Sequence, residues 1–382
     1  MFGHENQNSK MEKTDLLPLY IALLITALLV GTGCSASDDE RQFLPDLPQF
    51  TPSVITQFNS AGDIYFSHLG YRSYVTAGGS VVIPEREQEI LLKIEPTGEL
   101  SRIVAQQGRG PGEIGDVISF EPIWSGSGGF VVFDQSNKRF VRFNESADYI
   151  NEQNLPQAPY GQVSEVFQLN DDRILTVSNS FDYIFNPEEE PKSGLAIYDT
   201  ADERNVKSSS IRSKRYARMV SSDGVVRGGR IIYYGPEDLV AQDSQSENFF
   251  LYWTESDRVA MINTEFDTVS TIRLNLEAQR LSTAELDSIR EDIGDDHWRT
   301  MRDELPEKKA VADRMMIDTQ GLIWLKLNYA SEYDQWLVAD RDGEHRKIVN
   351  LPKESMLMHI TGDHLGVRLD DVTFALFEVP YL

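Results

Sequence analysis

The chain has one cysteine in 382 residues, Cys34. No internal disulfide can form, and beyond Cys34 there is no thiol to act as a nucleophile. Histidine is scarce. His4, His68, His297, His345, His359 and His364 show no HxH or HExxH spacing, so the sequence offers no zinc site. No Gly-x-Ser-x-Gly elbow occurs, which disfavours serine esterase chemistry of that type. Basic charge is also short: 36 Lys and Arg face 61 Asp and Glu, a formal net charge of −25. That balance argues against nucleic acid, whose binding is driven by clustered cations, and against electrostatic docking to anionic lipid. After residue 30 no run is apolar enough to span a membrane.

The one long apolar run, Leu16 to Val30, follows Lys10 and Lys13 and precedes Gly31-Thr32-Gly33-Cys34. A basic lead, an apolar core and small residues before a cut describe a secretory signal. The run contains Pro18 and falls short of the roughly 20 residues a span needs. The stretch resembles the lipobox of bacterial lipoproteins, with Thr32 and Gly33 at the small positions, although Gly31 stands where that family usually has Leu. The resemblance implies a signal peptide over 1–33, lipid on Cys34 as the mature N-terminus, and a protein anchored in the cell envelope, at the outer membrane or periplasmic face. A plain uncleaved anchor is the alternative, and it gives the same address. Polar residues 34–50, with Pro45 and Pro48, read as a tether. Lys10 and Lys13 against Glu5, Glu12 and Asp15 leave −1 before Cys34, so the remainder carries −24. Residues 51–382 are long enough to bury a core without disulfides.

That remainder reads as short strands separated by polar turns. Gly129 to Ile150 shows the pattern: an apolar strand, a turn at Asp134 to Asn137, a second strand, a turn at Asn144 to Ala147, and a third strand. Similar copies start near Ser80, Asn248, Gly321 and His364. A repeating unit of about 40–50 residues with four strands predicts an all-β, six-bladed β-propeller. Matching strands centre near Val81, Val131, Leu175, Leu251, Trp324 and Val367. Two longer gaps hold insertions, and a seventh blade within 205–247 is the alternative count. The last copy ends after three strands, and Ser53 to Phe58 can supply the fourth.

The link Ala105 to Val117 is rich in glycine. Its Gly108 to Glu113 resembles the GPGE-type link of NHL-like six-bladed propellers found in exported bacterial lipoproteins, and Ile317 to Trp324 matches a second repeat motif. The resemblance implies fold and carries little about function. A phosphate-binding reading of Gly108 to Gly112 is weak, since no Gly-Lys-Ser/Thr follows.

A helical insertion is expected near 282–305. Ser282 with Glu285 forms a capping box, Leu286, Ile289 and Ile293 share a face, Gly294 ends the helix, and Trp298, Met301 and Leu305 stripe a second one. It serves as packing or as a lid over the ring mouth. The interblade links carry Arg109, Lys214, Arg215, Arg218, Lys308, Lys309 and Lys353. Together with Trp298, all but Lys353 form the candidate ligand site, a mouth suited to an anionic glycan or a peptide carboxylate. Solvated mixed charge is the ordinary alternative, because acidic residues flank these cations. Asp134, Asn179, Asp199, Asp318 and Asp340 lie near strand ends, where turn geometry is the commoner use and calcium ligation the rarer. No catalytic constellation emerges. The expected function is a non-catalytic binding or scaffold module for a protein, peptide or glycan, without cofactor. The alternative is a calcium-assisted hydrolase or lyase acting at the channel.

Overall fold

The computed structural model describes residues 47–379 apart from 116, 123–128, 156, 157, 171, 187, 213, 222, 223, 244 and 345, with backbone alone over 117–122. Cys34, the apolar run, Trp124 and His345 lie outside the described residues.

The chain enters through β1 (Gln49–Phe50), β2 (Val54–Phe58) and a small hairpin of β3 (Ser60–Ala61) and β4 (Ile64–Tyr65). The first blade holds β5 (Tyr74–Val75), β6 (Val81–Glu85), β7 (Ile90–Ile94) and β8 (Leu100–Gln106). The second holds β9 (Val117–Pro122), β10 (Phe130–Asp134), β11 (Arg139–Phe143) and β12 (Tyr149–Asn154). The third holds β13 (Gln162–Gln168), β14 (Arg173–Ser180), β15 (Lys192–Asp199) and β16 (Arg204–Ile211), with a single turn α1 (Asp182–Phe185) between its middle strands. A hairpin, β17 (Tyr216–Val220) and β18 (Val226–Ile231), precedes the fourth blade of β19 (Asp238–Gln242), β20 (Phe249–Trp253), β21 (Arg258–Ile262) and β22 (Thr268–Arg273). Helices α2 (Thr283–Ile293) and α3 (Asp295–Glu304) lead to the fifth blade of β23 (Ala312–Ile317), β24 (Ile323–Leu327), β25 (Asp334–Ala339) and β26 (Arg346–Leu351). The sixth holds β27 (Met356–Ile360), β28 (His364–Arg368) and β29 (Phe374–Glu378), completed by β2.

Six antiparallel sheets, each a meander, thus make a six-bladed propeller. The six strand centres expected from sequence are the second strands of the six blades. The seventh blade does not exist. Residues 205–247 divide among β16, the two-stranded β17–β18 hairpin and β19, because the hairpin pairs only with itself.

Second strands are apolar because both of their faces meet neighbouring blades. β6 and β10 are buried at every position. Between the fifth and sixth blades Trp324, Trp336, Val349, Leu357, Leu365 and Phe377 form one cluster. Full burial of each such side chain contributes about 1.5–3 kcal/mol. Trp253 is half-buried, with the Arg212 guanidinium 3.6 Å over its ring.

The turns after the first strands repeat one chemistry. Thr76, Asn170, Asp243, Asp318 and Thr361 each accept a backbone N–H two to four residues ahead. A second device sits at the end of the second strand. Buried Glu85 accepts the amides of Ser67 and His68, Asp134 that of Gly115, and Thr254 that of Glu237, while Asn328 donates to the Ala310 carbonyl. Each bond ties the incoming link to its own blade and satisfies backbone groups that would otherwise be buried unpaired.

The Gly108 to Glu113 link closes on itself. The Glu113 carboxylate accepts the Gly110 amide at 2.8 Å, and a Cβ on Gly108 would lie 1.9 Å from that carboxylate. The backbone cradle a phosphate would need is filled by the link's own glutamate. Buried Arg139 fastens it further, donating to the carbonyls of Arg109, Gly110 and Glu113 and to the carboxylates of Asp134 and Glu152.

Closure follows expectation. β2 pairs antiparallel with β29, and Phe58 stacks on Phe374 at 5.5 Å. β1 adds a parallel fifth strand to the fifth blade, and Leu47 is buried in the core there. The last four residues of the stretch 34–50 therefore lie on the propeller.

The insertion near 282–305 forms the two helices with the expected capping box between Ser282 and Glu285, and Gly294 joins them at φ +78°. Ile289, Ile293 and Met301 pack on Ala217 and Ile232 of the hairpin region, with Trp298 and Leu305 at the edge. The two insertions cover each other. Among the described residues, no helix is long and apolar enough to cross a membrane.

Candidate functional site: the central channel

The first strand of each blade is innermost, and first strands contact their neighbours from β27 through β5, β9, β13 and β19 to β23. They enclose a cavity of about 970 Å³. Its described walls come from β5, β13, β19, β23 and β27 and the residues around them. Val75, Phe167, Leu239, Met315, Met358 and Ile360 give it an apolar middle.

Charge gathers where the first strands begin. Lys214, on the link before β19, reaches Glu237 at 3.0 Å. Arg72 of the first blade meets Glu165 of the third at 3.6 Å. Asp313 and Arg314 join them at the start of β23. Burial pushes the Glu237 carboxyl up to about 7, against the pull of the Lys214 ammonium. Burial alone would lower Lys214, but the charge and hydrogen bond of Glu237, with the charges of Asp313 and Glu165, together hold the ammonium above its usual value. At the opposite end, the His359 Nδ1 accepts the Val75 amide at 3.2 Å, with its ring 5.2 Å from Tyr74.

Of the predicted ligand residues only Lys214 lines this cavity. Arg215 pairs loosely with Glu304 at 3.8 Å, and Arg218 donates to the Tyr183 carbonyl. Lys309 is buried and bonded to Glu285 at 2.7 Å, and Lys353 lies 3.4 Å from Asp334. Arg109 and Lys308 are exposed and away from the channel lining, and Trp298 belongs to the insertion core. The structure disperses the expected ring of cations, because most of them are held by local partners. No residue of α2 or α3 lines the channel.

Asp134, Asp199, Asp318 and Asp340 accept backbone amides within their turns, and Asn179 bonds to Ser164 and Ser193. None of the five lines the cavity. Among the described residues, no group of three or more His, Cys, Asp or Glu could hold a metal ion. Sequence reasoning missed Arg72, Glu165, Glu237 and Asp313. The available signal was their position just before or within a first strand after an interblade link.

No protein-family model matches the chain, and no curated protein matches it. Solved structures do. A Bacteroides fragilis protein described as exported aligns over 88% of this chain and 99% of its own, at 11% identity and a TM-score of 0.47. A gluconolactonase from Xanthomonas campestris aligns over 87% and 97%, at 10% identity and 0.42. Virginiamycin B lyase from Staphylococcus aureus aligns over 86% and 89%, at 11% identity and 0.38. At these identities the likeness is one of fold.

Proposed function

We propose that this protein is an NHL-like propeller lipoprotein of the bacterial cell envelope that binds a small organic ligand, or the end of a peptide, in its central channel. The observation that carries the reading is the cavity itself: about 970 Å³, with an apolar middle and charged side chains toward its ends. Pockets of that size and lining are where ligands of this class bind. Replacing half-buried Met316 of the wall with Trp is expected to abolish binding of compounds found by thermal-shift screening, with the fold intact by circular dichroism. Unchanged binding by that variant would overturn the channel reading.

A second reading is favoured by Glu237. A carboxyl titrating near 7 beside an ammonium is matched to general acid–base work. An enzyme would convert its bound ligand, and Glu237→Gln would stop conversion while leaving binding; a binding module would return the ligand unchanged.

The tether reading rests on Leu16 to Cys34. Cys34→Ala is expected to eliminate incorporation of labelled fatty acid and to release the protein from the membrane fraction or leave it unprocessed. Continued labelling in that variant would refute it.

A further inference from the structure

We infer that the channel takes an apolar molecule bearing an ammonium head, seated at the mouth formed by Glu165, Glu237 and Asp313. This rests on the channel reading above. Around that mouth four carboxylates, Glu165, Glu237, Asp238 and Asp313, meet three basic side chains, Arg72, Lys214 and Arg314, while Glu145 and Asp363 line the end that holds Tyr74 and His359. Two of those cations are committed, Arg72 to Glu165 and Lys214 to Glu237. Asp238 is held from outside the cavity by Arg212.

Asp313 is the exception. Its Oδ1 is buried and has no hydrogen-bond partner among the described residues. Its negative charge raises both Glu237 and Lys214, which places it in the same local field. A carboxylate oxygen removed from water without a hydrogen-bond partner is costly, and a donor cation brought beside it offsets that cost. The wall below suits the rest of such a guest. Tyr74 and Phe167 offer aromatic surface, and Met315, Met316 and Met358 offer polarizable thioethers. An anion fits poorly, since it would have to draw Arg72, Lys214 or Arg314 away from an existing interaction. The excess of carboxylates along the channel also draws cations toward it before contact.

Calorimetry on the full chain with 2-phenylethylamine, phenylalaninamide, 2-phenylethanol and 3-phenylpropionate tests this. Both amines are expected to bind at least about tenfold more tightly than the alcohol and the carboxylate. Asp313→Asn is expected to remove that preference while leaving the alcohol's affinity, with Glu165→Gln as the second variant if the first fails to fold. Absent amine binding, carboxylate binding as tight as the amine's, or an amine preference that survives both substitutions would overturn the inference. Met316→Trp separates the two readings. If the carboxylate wins and Met316→Trp still abolishes its binding, the ammonium inference falls and the channel stands. If the probes bind equally with and without Met316→Trp, the channel reading falls as well.

Discussion

His359 shows how one side chain takes its chemistry from its surroundings. It lies in the channel wall at the seam between the first and last blades, where its Nδ1 must stay unprotonated to accept the Val75 amide. Burial pushes it down from 6.5 to about 4. The unfolded chain therefore takes up a proton at a pH where the folded chain does not. Stability from this group is complete above about 6.5 and is lost as pH falls toward about 4, by roughly 3 kcal/mol or slightly more in all. Glu237 acts with the opposite sign. Its carboxyl is raised from 4.5 to about 7, so its contribution is full below 4.5 and fades as pH rises through 7. Urea denaturation of His359→Asn is expected to show a shallower fall between pH 6.5 and 4 than the parent. An unchanged slope would mean that His359 does not titrate as its burial dictates. In the sequence His359 is one of six isolated histidines, and nothing local sets it apart. Arg139 is equally mute there, yet it holds a link and two carboxylates.

At the scale of elements, the closing strand is the most exposed to test. β2 comes from the start of the domain and is held to β29 by backbone pairing and by Phe58, while Val54 and Ile55 remain half exposed. Phe58→Ala is expected to cost about 3–5 kcal/mol, and Ile55→Ala less than about 1 kcal/mol. Thermal melting of the pair checks this, and equal losses would show that Phe58 does not fasten the ring. The strand was legible because an unfinished last repeat needs a partner and SVITQF has strand character. The capping box and the Gly294 break were legible for a similar reason: they are local backbone chemistry written in consecutive residues. The hairpin β17–β18 was not legible as what it is. Short apolar strands look alike in sequence whether they extend a blade or pair apart from it, and that ambiguity produced the seventh-blade alternative.

The whole molecule joins an acidic surface to an acidic channel. A formal charge of −25 keeps like molecules apart, and salt screens the self-repulsion within each. Within that field many cations of strands and turns are spent on pairs whose members are far apart in the chain, such as Arg102 with Asp148, Lys207 with Glu265 and Arg341 with Asp243. The sequence by itself determined the repeat, the places of six second strands, the closing segment, the helical break and the scarcity of reactive groups. These follow from hydrophobic period, turn residues and composition, which are properties of neighbouring residues. Only the tertiary structure decided which strand of each blade faces the axis. It therefore decided that Glu165, Glu237 and Asp313 share one mouth and that most of the candidate cations lie elsewhere. The physical reason is that a propeller brings together residues one or more repeats apart, and alternation along a strand tells one face from the other without telling which strand is innermost.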